Sequence, residues 1–364
     1  MKIVQLIPQL ASGGAERFVV DLSNELSKSH DVVLIVSSSL IDEKAFYLQE
    51  VSRGVKVCSL DKKIGLDIAY LYRLYKVIKM EKPDVVHTHL GTFLHFALMK
   101  WFFPKIKFVH TVHCLAQFES GGGLHKMLKK IFFKTNWCQA VNISYASDLS
   151  FKKCYGEKVS TKIIYNGRAD EIFQDDDNDK VFLPRVPGRY NLISVGHISN
   201  VKNHVLLCTA ITQLTDKGTP LELHMFGRFA DKGLVEKIKS LKNPHIHMLG
   251  EVENPRRYFA NADAFCMSSI REGMPISLIE AMSCGLIPIC TPVGGVVEMI
   301  DDGKTGFLSH DLSVESYVEA IERFLLLTKE EMTVMKQSCK ESSQQYSIEL
   351  CAHKYEQIYL SNKK

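Results

Sequence analysis

Short apolar runs and amphipathic helical patterns alternate along this chain in two successive series. In the first series KIVQLI (2–7), DVVLIVSSS (31–39), VKVCSL (55–60), DVVHTHL (84–90), KFVHTVH (107–113), QAVNIS (139–144) and TKIIYN (161–166) read as strands. A glycine turn opening a helix, GGAERFVVDLSNELSK (13–28), and helical patterns at 66–81, 91–102, 123–135 and 145–154 lie between them. Apolar strands separated by helices imply parallel sheets covered on both faces.

The segment EIFQDDDNDKVFLPRVPGR (171–189) interrupts this rhythm with acidic residues and then prolines, and it reads as a linker. The alternation restarts with strands at 190–196, 221–227, 246–252, 263–269, 287–295 and 306–309. Helices are expected near 202–216, 231–241, 275–284 and 296–301, and two more, near 313–327 and 347–360, close the chain. At 364 residues the chain exceeds one ordinary core. The expected architecture is α/β: two doubly wound, Rossmann-like domains facing each other across a cleft.

A net charge of +4 argues against a dedicated nucleic-acid binder. The ten cysteines are scattered with no CxxC pair, so they read as small buried hydrophobes of a cytosolic protein rather than a disulfide framework. The opening MKIVQLIPQLASGG has too short an apolar part for a signal peptide. No run is long and apolar enough to predict a membrane span.

Chemistry is expected at the C-terminal ends of the strands, where doubly wound sheets bind ligands. Gly13 and Gly14 open the first helix and could bring amides against a phosphate. The GxGxxG spacing is absent, however, and no acidic residue ends the second strand, which weighs against a nicotinamide oxidoreductase. In SVGHISNVKNH (194–204), Gly196 ends a strand and Lys202 stands near the next helix, the arrangement of a diphosphate clamp. In REGMPISLIEAMSCG (271–285), Glu272 lies on a loop and Glu280 among apolar helical residues, where a carboxylate needs a polar partner. Gly294 and Gly295 precede a further helix.

These residues carry a resemblance. The order VG-x5-KNH, GEV and NADAFCMSSIREGMPISLIEAMSCGLIPICTPVGGVVEMIDDGKTGFL resembles the nucleotide-sugar half of retaining glycosyltransferases of family 4, which have the GT-B architecture. PQLASGGAERFVVDLSNEL resembles that family's opening helix, and YNGRADEIF the approach to its interdomain hinge. The resemblance implies an acceptor-binding domain over 1–170, closed by the C-terminal helix 347–360, and a nucleotide-sugar domain over 190–346. It implies transfer of a sugar from a UDP- or GDP-sugar to an acceptor hydroxyl with retention of configuration.

By the same resemblance, Glu272, Lys202 and His113 are the catalytic candidates. Glu272 would meet the donor sugar, Glu280 the ribose hydroxyls, Lys202 the diphosphate and His113 the donor sugar. Gly14, Gly196, Gly273 and the segment Met274, Pro275 and Ile276 would line the donor site; proline lacks an N–H, so the amides of Met274 and Ile276 are the candidate donors. The family often carries an arginine where this chain has His197, and either His197 or Arg228 would take its place beside the phosphates. No cofactor beyond the nucleotide-sugar substrate is implied.

The pairs His87/His89 and His110/His113 invite a metal reading, but His87 and His89, on one face of a strand, have no carboxylate or cysteine nearby to complete a tetrahedral set, and no metal is expected. Between Phe96 and Trp137, seven lysines stand against one glutamate among bulky apolar residues. That mixture fits a helix with a solvated basic face, or a patch lying on an anionic membrane beside a lipid-linked acceptor. The expected setting is therefore cytoplasmic, peripheral on the inner face of the plasma membrane, in assembly of surface polysaccharide or lipid-linked glycan. Two rival readings are a nucleotide-sugar epimerase of the same fold and a non-catalytic nucleotide-sugar binding protein.

Overall fold

A computed structural model describes residues 1–119, 121–173, 186–252 and 254–361. Most of the expected linker, 174–185, lies outside them. The chain divides into two compact units, Met1–Ala169 with Tyr346–Lys364, and Asp170–Gln345.

The first unit is built on β1 (Lys2–Ile7), α1 (Gly14–Leu26), β2 (Asp31–Val36), β3 (Val55–Ser59), α2 (Ile68–Glu81) and β4 (Val85–His89). It continues through α3 (Phe93–Ala97), β5 (Lys107–Val112), α4 (Ala116–Glu119), α5 (Gly123–Lys134), β6 (Gln139–Asn142), α6 (Tyr145–Tyr155) and β7 (Thr161–Ile163). Its seven strands are ordered β3-β2-β1-β4-β5-β6-β7, and every pairing is parallel. β1 and β2 are almost wholly buried, as continuous apolar runs covered on both faces must be. Tyr70 and Leu74 of α2, Phe93 and Phe96 of α3 and Phe132 and Phe133 of α5 share one core.

The second unit runs through β8 (Tyr190–Val195), α7 (His204–Asp216), β9 (Leu221–Phe226), α8 (Lys232–Lys239), β10 (Ile246–Gly250) and β11 (Ala264–Met267). Then come α9 (Ile276–Ser283), β12 (Ile287–Cys290), α10 (Val296–Met299), β13 (Phe307–Leu308), α11 (Val314–Leu325) and α12 (Lys329–Ser343). Its six-stranded parallel sheet has the order β10-β9-β8-β11-β12-β13. The strand order reverses direction between β8 and β11, the switch point at which loops from both sides leave the strand ends together. The chain then returns to the first unit as α13 (Ile348–Leu360), which packs on α1. Gly167 makes that packing possible, since a Cβ there would lie 2.8 Å from the Cα of Ile348.

Three expectations are corrected. The helix expected over 91–102 is only Phe93–Ala97, followed by turns. The strand expected over 287–295 stops at Cys290: the next residues form a loop in which Pro292 has no N–H for a ladder and Gly294 takes φ +54°. Three helices, not two, close the chain: α12 is too polar to show an apolar stripe, burying only Met335, Cys339 and Ser343. Its start was nevertheless written locally, since Thr328 and Glu331 form a reciprocal capping box.

Candidate functional site

In the second unit, the loops after β8, β9, β11 and β12 meet at the C-terminal edge of the sheet. Gly227 follows β9 with φ +139°, and a Cβ there would come within 2.2 Å of the Gly196 carbonyl oxygen. Glycine thus lets the β8 and β9 loops touch, and the Ile198 amide donates to the Arg228 carbonyl at 2.9 Å. After β11, the Ser268 hydroxyl donates to the carbonyls of Lys202 and Asn203 at 3.1 and 3.0 Å, fixing the turn into α7.

That turn delivers Lys202 to Glu272. The Nζ donates to Oε1 at 2.7 Å, and the Ser269 hydroxyl donates to the same oxygen at 2.6 Å. Both side chains keep some solvent exposure, 25% for the lysine and 11% for the glutamate. The Glu272 loop is braced from behind by Gly294, where a Cβ would collide with the Glu272 carbonyl oxygen at 1.8 Å, and the Gly295 amide donates to the Gly273 carbonyl at 3.0 Å. Thr291 completes the brace by donating to the Ser269 carbonyl at 2.6 Å.

α9 begins immediately after this loop. Pro275 is its N-cap in extended conformation, and no side chain caps the first turn. Gly273, Met274, Pro275 and Ile276 are all buried. Glu280 lies one turn further along the helix than Ile276. The sequence suggested a carboxylate immersed in the core; instead it is half-buried, at the helix margin, while its neighbours Ile279 and Ala281 face inward.

In the first unit, Gly14 opens α1, and the turn before it is already backed by a carboxylate. A Cβ on Gly13 would lie 2.3 Å from Glu16 Oε2. Burial raises the Glu16 pKa, against hydrogen bonds from its own amide and from Gln9 that lower it.

His113 follows β5, and its Nε2 lies 2.9 Å from His89 Nδ1. His87 has Tyr359 on one nitrogen and Thr111 on the other, each at 2.7 Å. His110 is held between Thr88 at 2.9 Å and Glu119 at 3.0 Å. Burial drives the pKa of His87 and His89 well below the ordinary histidine value and that of His113 down to about 4. Both ring nitrogens of His87, His89 and His110 are thus spent on protein groups. Among the described residues no three His, Cys, Asp or Glu side chains are grouped to hold a metal ion.

The basic segment needs a second correction. Lys129, read from sequence as part of the outer face, is buried: its Nζ donates to the Glu119 carbonyl at 2.9 Å and sits over the Phe93 ring. Lys100 is buried too, donating to the carbonyls of Pro104 and Ile106. Lys126, Lys130 and Lys134 are exposed, and so are Trp101, Phe102, Leu124, Met127 and Ile131. Among the described residues no helix is long and apolar enough to cross a membrane.

Sequence reasoning passed over Ser269, Gly227 and Gln5. The paired serines at the end of β11 and the glycine ending β9 were legible as strand-end residues, but Gln5 stands inside an apolar strand and carried no signal.

Known protein families match each of the two units in turn. Residues 12–167 match the model of Glycosyltransferase Family 4, and residues 175–342 that of Glycosyl transferases group 1. A Campylobacter jejuni protein, GalNAc-alpha-(1->4)-GalNAc-alpha-(1->3)-diNAcBac-PP-undecaprenol alpha-1,4-N-acetyl-D-galactosaminyltransferase, is 26% identical, over 94% of each chain. The Escherichia coli UDP-Gal:alpha-D-GlcNAc-diphosphoundecaprenol alpha-1,3-galactosyltransferase is also 26% identical, over 93% of this chain and 90% of its own. Among solved structures, Anabaena HepE in complex with UDP-glucose superposes with a TM-score of 0.79 at 18% identity, covering 98% of this chain and 99% of its own.

Two parallel α/β units of seven and six strands, each matched by a glycosyltransferase family, define a glycosyltransferase of GT-B fold. The chain belongs to glycosyltransferase family 4, and its activity is of the hexosyltransferase type.

Proposed function

We propose that the protein transfers a hexose from a UDP- or GDP-sugar, with retention, to a hydroxyl of a lipid-linked or surface-polysaccharide glycan. The observation that carries this reading is the Lys202–Glu272 pair, held by Ser269 beside the uncapped start of α9. A donor diphosphate would draw the Lys202 ammonium away from Glu272, and the freed carboxylate would accept hydrogen bonds from sugar hydroxyls. Positive charge placed where leaving-group charge grows stabilises the transition state more than the ground state. His197 and Arg228, at the adjoining strand ends, would share that charge. Glu280 would accept from the ribose hydroxyls, and the amides of Met274 and Ile276 would meet sugar and phosphate.

In the first unit, Gly14 would offer its amide and His113 would meet a sugar hydroxyl. Retention is ascribed to attack on the same face from which the diphosphate leaves, with a phosphate oxygen taking the acceptor proton. The undecaprenol-linked acceptors named for the two bacterial relatives support the lipid-linked reading. So do the exposed aromatic and lysine side chains around α5, which suit the inner face of an anionic membrane in the cytoplasm.

The test is to incubate the protein with a panel of UDP- and GDP-sugars and with polyprenyl-diphosphate glycans, following nucleotide release and product anomer. Release with one donor, raised by acceptor and giving a retained linkage, is expected. Interconversion of the free donor sugar without transfer would point instead to an epimerase.

A further inference from the structure

The histidine network of the first unit has a direction. Gln5 turns its amide nitrogen to the Tyr359 hydroxyl at 3.4 Å and its carbonyl oxygen to His89 Nε2 at 2.8 Å. A carbonyl oxygen only accepts, so His89 must carry its proton on Nε2. Buried neutral imidazole holds one ring proton, which leaves His89 Nδ1 as an acceptor. The 2.9 Å contact then requires that His113 donate from its own Nε2. His113 is held neutral in its turn by burial, with a pKa of about 4. Its second nitrogen, Nδ1, is therefore a bare lone pair. That atom is buried and has no hydrogen-bond partner among the described residues.

The structure assigns Gln5 and His89 as positioning residues that fix His113 in one tautomer, so that its Nδ1 accepts a hydrogen bond from a hydroxyl of the bound sugar substrate. The assignment rests on the transferase reading for the identity of that hydroxyl, but the tautomer rests on the protein alone. A buried acceptor with no partner is costly, and a ligand hydroxyl satisfies it. Selection follows as well. A site that presents an acceptor favours a sugar bearing a hydroxyl at that position over its deoxy counterpart, whose C–H cannot donate. Reversing the Gln5 amide would reverse both bonds in the chain and place a proton on His113 Nδ1, which would present a donor instead. The Tyr359 hydroxyl that takes the Gln5 amide nitrogen also meets His87 Nδ1 at 2.7 Å, so the Gln5 amide and His87 share one anchor.

The experiment is 15N NMR of histidine-labelled full-length protein without ligand, with the His113 signals assigned by their loss in His113→Phe. The expected spectrum of the wild type shows His113 protonated at Nε2 and bare at Nδ1. Gln5→Leu should bring the ring to a mixture of tautomers and lower kcat/KM about tenfold, the order expected from a misdirected hydrogen bond. Gln5→Glu keeps an acceptor for His89 and should retain the wild-type tautomer. Should Gln5→Leu fail to fold, Tyr359→Phe removes the hydroxyl that meets both the Gln5 amide and His87 Nδ1, leaves Gln5 in place, and should also admit the second tautomer. A proton found on Nδ1 in the wild type, or a ring unchanged in both Gln5→Leu and Tyr359→Phe, would overturn the assignment. If the tautomer is as expected but no nucleotide sugar is turned over, the relay stands and the sugar-transfer reading is what fails.

Discussion

The Lys202 ammonium lies 2.7 Å from Glu272 Oε1, the same oxygen that takes the Ser269 hydroxyl at 2.6 Å. The ammonium is thereby held among the strand-end loops by a carboxylate whose place, under the function proposed above, a donor diphosphate would take. Preorganised charge costs little reorganisation when the leaving group departs.

Lys202→Ala should depress kcat by about a hundredfold, on the order of 3 kcal/mol of transition-state stabilisation, with a smaller effect on donor affinity. Glu280→Ala should do the reverse, weakening nucleotide binding by roughly 1–3 kcal/mol while sparing kcat. Calorimetric titration with nucleotide, beside steady-state kinetics, separates the two. Wild-type behaviour in both folded variants would remove these residues from the site.

Transfer should persist in excess EDTA. The reason lies in the histidines, since the ring nitrogens of His87, His89 and His110 are engaged by Tyr359, Thr111, Gln5, His113, Thr88 and Glu119. Loss of activity in chelator, restored by a divalent cation, would show that charge on the donor is handled differently.

The surface around α5 should bind anionic vesicles. Lys126, Lys130 and Lys134 face solvent with Trp101, Phe102 and Leu124, and each lysine near an anionic surface contributes about 1 kcal/mol. The triple change of these lysines to glutamine should reduce cosedimentation with phosphatidylserine-containing vesicles and leave hydrolysis of soluble donor intact. Lys129→Gln should instead lower stability, because its ammonium is an internal donor to the Glu119 carbonyl. Equal vesicle binding by the triple variant and wild type would make this an ordinary solvated face.

Stability of the first unit should fall as the medium is acidified. In the unfolded chain His87, His89 and His113 take up protons near 6.5, whereas burial keeps them neutral in the fold, down to about 4 for His113. The unfolded state thus binds more protons across that window, so stability is full above 6.5 and is lost toward 4. Each such histidine contributes a slope of ~1.4 kcal/mol per pH unit. Both tryptophans, Trp101 and Trp137, lie in this unit, so the urea midpoint read by their fluorescence checks it directly. An unchanged midpoint between about pH 7 and pH 5 would refute the expectation.

The two parallel sheets were legible from sequence because strand and helix periods are properties of adjacent residues. Apolar runs such as DVVLIV, bounded by helical patterns, can be buried in few other ways. The glycines and charges at strand ends were legible for the same reason: a doubly wound sheet sends every such end to one edge. The direction of individual side chains was not. α5 shows four lysines and a stripe of apolar residues in its sequence, yet Lys129 turns into the core and Leu124, Met127 and Ile131 turn out, because Phe132 and Phe133 fix which side of the helix meets the sheet. Lys202 and Glu272 are 70 positions apart, and Gln5 and Tyr359 are 354 apart. Local periodicity carries no information about such pairs. They meet because strand order places β8 beside β11, and because α13 returns to the first unit against α1, so partners are chosen by topology rather than by neighbouring residues.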